Sequence, residues 1–62
     1  MPFSVAQVYA YLGDRDVAFA WLDKAFAQRD PELHTIKGEP LLDGLKPDLR
    51  FKAYLRKMNL PD

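Results

Sequence analysis

The residues able to do chemistry in this chain are few and scattered. His34 is the only histidine and there is no cysteine, which removes thiolate metal sites, cysteine nucleophiles and disulfide frameworks together. A metal held by His34 would need its other ligands from carboxylates, and the residue reads instead as a partly exposed helix histidine. The nearest carboxylate pairs are Asp14 with Asp16 and Asp43 with Asp48. Both fall where a helix is expected to begin. A carboxylate there accepts hydrogen bonds from the free N–H groups of the first turn, so capping accounts for both pairs without general acid–base work. Gly13, Gly38 and Gly44 are isolated, form no phosphate-cradling loop, and each reads as a helix stop. No catalytic residue, metal ligand or cofactor follows from these residues, and the expectation is a chain that is not an enzyme.

The elements that would position these side chains are helices. Val5, Val8, Tyr9 and Leu12 recur at three- and four-residue steps, predicting a first helix from about Phe3 to Leu12 with those residues as its packed face. Pro2 suits the first turn of that helix. Gly13 can take the left-handed conformation that closes a helix, and Asp14 can cap the next, so the pair makes a turn between two antiparallel helices. Asp16 lies in the first turn of helix two, where its charge meets the positive end of the helix dipole. Ala18, Leu22, Ala25 and Phe26 form the packed face of that helix, which runs to about Gln28; the two alanines let the helix axes approach closely.

Asp30-Pro31 predicts a cap and a first helical residue for a short third helix that buries Leu33 and Ile36 and stops at Gly38-Glu39-Pro40. Pro40 to Leu45 is too punctuated for a full helix and reads as one turn that inserts leucines beneath its neighbours. Pro47-Asp48 opens a last helix, with Phe51, Tyr54, Leu55 and Met58 on one face and Arg50, Lys52, Arg56 and Lys57 off it. Asn59 can take a left-handed cap, Leu60 can fold back and Pro61 prevents continuation.

At 62 residues the chain is one domain at most, burying roughly 60% of its unfolded surface, so its core is thin. Nine basic residues balance nine acidic ones, which gives no global attraction to nucleic acid or anionic lipid. No basic, apolar leader opens the chain and no apolar run approaches the ~18 residues of a membrane span. A soluble, cytoplasmic protein is expected.

Val5-Ala6, Tyr9, Gly13-Asp14, Ala18, Leu22, Ala25 and Asp30-Pro31 together resemble a tetratricopeptide repeat (TPR), a helix-turn-helix unit of about 34 residues that stacks into solenoids. Pro2 stands where the family usually has tryptophan, Ala6 where glycine is common, and one extra residue precedes Pro31. The stretch Pro40 to Leu45, with Asp48, Arg50-Phe51 and Leu55-Arg56-Lys57-Met58, is similar to the tail closing repeat arrays in many bacterial regulators, with Gly44 in place of a frequent proline. The resemblance implies an all-α fold over residues 1–62: a TPR-like αα-hairpin at 3–29, capped by a shorter, degenerate helical pair at 30–62. It also implies a protein–protein interaction module, either the C-terminal part of a larger array or a small self-associating domain.

Among the aromatics, Tyr9 and Phe26 are expected in the core. Phe3, Gln7, Ala10 and Tyr11 occupy positions that in this repeat family face the ligand, and the resemblance makes them the expected contacts for a protein or peptide partner. Family members that clamp a terminal carboxylate carry lysine and asparagine where Phe3 and Gln7 stand, so no such clamp is expected here. Helix one is apolar almost all round, with Phe3, Val5, Val8, Tyr9, Tyr11 and Leu12, and a single neighbour cannot cover it. A weak homodimer through helix one is the expected consequence. The rival reading is a small basic helix-turn-helix protein that binds nucleic acid through Lys46, Arg50, Lys52, Arg56 and Lys57. Against it, Lys46-Pro47 is a poor entry to a recognition helix, and a charged face opposite Phe51, Tyr54 and Leu55 is usually only solvated.

Overall fold

The structure, a computed structural model, describes residues 2–59. Helix α1 (Pro2–Leu12) and helix α2 (Arg15–Ala27) are followed by two 3-10 helices, η1 (Pro31–Gly38) and η2 (Pro40–Leu45), and by helix α3 (Leu49–Lys57). Every regular element among the described residues is helical. No helix among them is long and apolar enough to cross a membrane.

The α1–α2 turn is made by Gly13-Asp14. Gly13 has φ +88°, its N–H donates to the Ala10 carbonyl at 3.2 Å, and the Asp14 N–H reaches back to the Tyr9 carbonyl at 2.9 Å. This paired closure satisfies carbonyls that the end of a helix leaves free. The Asp14 carboxylate then accepts the Val17 N–H at 3.3 Å, capping α2. Helix α2 ends by the same device without a glycine: Arg29 takes φ +54°, donates to the Phe26 carbonyl, and leaves Asp30 N–H on the Ala25 carbonyl at 2.9 Å. Asn59, at φ +61°, occupies the left-handed position expected of it. The expectations for Leu60 and Pro61 lie outside the described residues.

One core unites all five helices, and on α2 Ala18, Leu22 and Ala25 are fully enclosed. The alanines sit where α1 approaches, as their size requires. The phase expected for α1 is corrected. Its buried residues are Phe3, Ala6 and Ala10, whereas Val8 and Leu12 are 55% and 67% exposed. Close helix approach selects small side chains, so the alanine stripe of α1 meets the alanine stripe of α2, and Phe3 fills the wider space at the open end. Val5 and Tyr9 are intermediate.

Both connecting segments adopt the three-residue repeat of a 3-10 helix, which places residues three apart on one side. In η1 that side holds Leu33 and Ile36; in η2 it holds Leu42 and Leu45, the last two fully enclosed. Leu41, expected among the inserted leucines, is 42% exposed instead, because it lies off this three-residue row. Gly44 is no helix stop. It sits within η2 against α1, where an added Cβ would lie 3.5 Å from the Ala10 carbonyl oxygen.

Helix α3 begins at Asp48, whose carboxylate accepts the Arg50 N–H at 2.9 Å, and it buries Phe51, Tyr54 and Leu55. The Tyr54 hydroxyl donates to the Leu22 carbonyl, and its ring meets Phe26 edge-on at 6.2 Å. Asp30 is the one buried charged side chain among the described residues. One of its oxygens accepts the Glu32 N–H at 3.0 Å, capping η1, and the other accepts the Phe3 N–H at 3.2 Å, across 27 residues of chain.

Candidate functional site

Helix α1 has two apolar faces. Successive residues of an α-helix are turned by about 100°, so Phe3, Ala6 and Ala10 fall on one side, while Val8, Tyr11 and Leu12 fall on the other. The inner side faces α2 and η2, the main neighbours of α1. The outer side leaves Tyr11 75% exposed beside Val8 and Leu12. Solvated apolar side chains one turn apart form a contiguous stripe, which isolated surface leucines elsewhere do not.

Of the four residues expected to meet a partner, the structure leaves two accessible. Tyr11 belongs to the outer stripe and Gln7 is partly exposed at its margin. Phe3 and Ala10 are corrected: at 0% and 5% exposure, they serve the core and offer no side chain to a ligand. Val8 and Leu12 belong to the surface that sequence reasoning placed inside. The signal that could have found them is the alignment of Ala6 and Ala10 with Ala18 and Ala25, since short side chains mark where two helices touch.

The charged residues are engaged locally. Arg50 spans α3 and α2, reaching Asp48 at 2.9 Å and Asp16 at 2.8 Å, with its guanidinium 4.6 Å from the centre of the Phe19 ring. The side-chain hydrogen bond from Arg50 holds the Asp48 carboxyl at about 2, well below its ordinary value. The same bond, together with the one to Asp16, raises the Arg50 guanidinium further above neutrality. Burial pushes the Tyr54 hydroxyl up, and the nearby Asp23 charge adds to the shift. Lys57 lies 3.7 Å from Asp23 and 4.5 Å from the centre of the Phe26 ring.

Asp43, expected at a helix start, lies inside η2 and pairs with Lys46 at 2.8 Å. The carboxylates singled out by sequence therefore have structural duties. Asp14 and Asp48 cap, while Asp16 and Asp43 form ion pairs. His34 is exposed. Among the described residues, no group of three or more His, Asp or Glu side chains is gathered to hold a metal.

What this arrangement can do is bind through apolar contact at α1. Compared with protein-family models, with curated proteins and with solved structures, the chain has no match.

Proposed function

We propose that the chain is a non-catalytic protein–protein interaction module of the helical-repeat, TPR-like type, working through the outer face of α1. The observation that carries this reading is the exposed stripe of Val8, Tyr11 and Leu12 on a helix whose opposite side is already committed to the core. Leaving three large apolar side chains of one short helix in water forfeits hydrophobic free energy that a second surface would recover. The hairpin with alanines at its contact, the Gly13-Asp14 turn and Asp30-Pro31 support the repeat-like character of the module. Stacked repeats bury a continuous core only through their neighbours, and α1 offers the side on which a neighbour would sit.

In the isolated chain the same stripe serves a second copy, related by two-fold symmetry with α1 against α1. Three side chains per copy make a small interface, so the dimer is weak. Sedimentation equilibrium from micromolar to millimolar protein tests this: self-association is expected, and Tyr11→Glu shifts it to monomer because the dimer would have to bury an unpaired charge. A folded wild-type chain that stays monomeric throughout, and whose Tyr11→Glu variant is unchanged in stability and behaviour, overturns the assignment of this face.

A further inference from the structure

A second surface lies where the end of η1, the end of η2 and the first two turns of α3 converge. There Lys37, Lys46 and Lys52 surround a cleft of about 230 Å³ whose floor is formed by Phe51 and Leu55. Its lining contains no carboxylate and no α1 residue. The nearest acidic group on the page is Asp43, which pairs with Lys46 at 2.8 Å and is itself largely solvated. Three ammonium groups set against one carboxylate leave the rim positive. Lysine stems extend along apolar surface while their charged heads stay in water, so a basic rim and an apolar floor belong to a single cleft here.

We infer that this cleft receives a bulky apolar side chain of an acidic peptide segment, with carboxylates on either side of that residue meeting the lysines. This rests on the reading of the chain as an interaction module and assigns it a second, separate face. Size and chemistry select the occupant. The cleft is smaller than the roughly 300–1,000 Å³ of sites that enclose a drug-sized ligand, yet it is suited to one anchoring side chain of a larger partner. A nucleic acid would use the lysines through its phosphates, but its backbone gains nothing from Phe51 and Leu55. An apolar anchor flanked by carboxylates uses floor and rim together, with the charges setting encounter rate and orientation.

The test is fluorescence anisotropy of the intact chain with a short labelled peptide, blocked at both ends, in which one phenylalanine is flanked by glutamates. Binding is expected to weaken as salt rises. It should also weaken about tenfold or more when Lys52 is changed to glutamate, because a rim attraction becomes a repulsion. Replacing the peptide's phenylalanine by alanine, or its glutamates by glutamines, should each cause a comparable loss. Lys52 is exposed, and circular dichroism of Lys52→Glu verifies that the variant is folded; Lys37→Gln provides an independent rim change.

Equal affinity for the glutamine peptide or the alanine peptide overturns the inference. So does indifference to both lysine changes, or tighter binding of a single-stranded oligonucleotide than of the peptide at the same salt. Tyr11→Glu should leave peptide affinity unchanged. Loss of peptide binding in that variant would place the site on α1 instead, whereas absent peptide binding beside intact α1 self-association would remove this cleft alone.

Discussion

Removing the Asp30 carboxylate should unfasten the two ends of the hairpin at once. Asp30 is 6% exposed, and its two oxygens hold the Phe3 N–H of the first turn of α1 and the Glu32 N–H of η1. A hydrogen bond to a charged group contributes about 1.5–3 kcal/mol, and an orphaned buried donor costs about 1–3 kcal/mol. Glu32 N–H is only partly buried, so water recovers much of its share. Phe3 N–H belongs to a residue with no exposed surface and recovers little. Asp30→Ala should therefore cost about 2–4 kcal/mol, dominated by the contact with Phe3.

For a chain of 62 residues, total stability is about 3–9 kcal/mol. The variant thus loses a large fraction of it, and its Tm falls by roughly 10–25 °C. Urea unfolding followed by Trp21 fluorescence and circular dichroism measures the loss. Amide exchange at Phe3 locates it, since that proton should exchange faster by more than any in α3. A cost below about 0.5 kcal/mol, within the range of ordinary surface changes, would refute the reasoning and show that the bond across the hairpin is not maintained in solution.

Ala25→Leu should cost about 1–3 kcal/mol by overpacking the α1–α2 contact, and an unchanged melting temperature would contradict the enclosed position of Ala25. Asp14→Ala should lose about 0.5–2 kcal/mol by freeing the Val17 N–H, visible as faster exchange at that amide and little change in α3. Arg29→Gly should stabilise the chain by roughly 0.5–1 kcal/mol, because a non-glycine residue is held at positive φ there; a lowered urea midpoint would mean that the Arg29 side chain contributes more than its backbone costs.

Tyr54 governs the alkaline limit. Its folded pKa is raised above the unfolded value of 10.0, so its contribution is complete below pH 10 and is lost as pH rises through and beyond it. Stability should fall above pH 10 in the wild type and less steeply in Tyr54→Phe, with difference absorbance of tyrosinate as the readout. Equal slopes would place the ionisation elsewhere.

The local features of the fold were legible in the sequence because each is set by a few neighbouring residues. Gly13 and Asp14 announce a turn wherever the rest of the chain lies, since one supplies positive φ and the other an acceptor for the next helix. Asp30-Pro31, Pro40 and Asp48 mark the later starts for the same reason, and the single amphipathic face of α3 could be assigned from its periodicity. Helix α1 could not be phased in that way. It is apolar on two sides, and periodicity alone does not say which side meets α2. The choice fell to packing: Ala6 and Ala10 permit a closer approach than Val8 and Leu12, so the small residues went inside and the larger ones were left to solvent. Two further features exist only in three dimensions. The Asp30 bond to Phe3 and the gathering of Lys37, Lys46 and Lys52 around Phe51 and Leu55 join residues far apart in the chain, and only the way the helices fold back on one another brings such groups within reach.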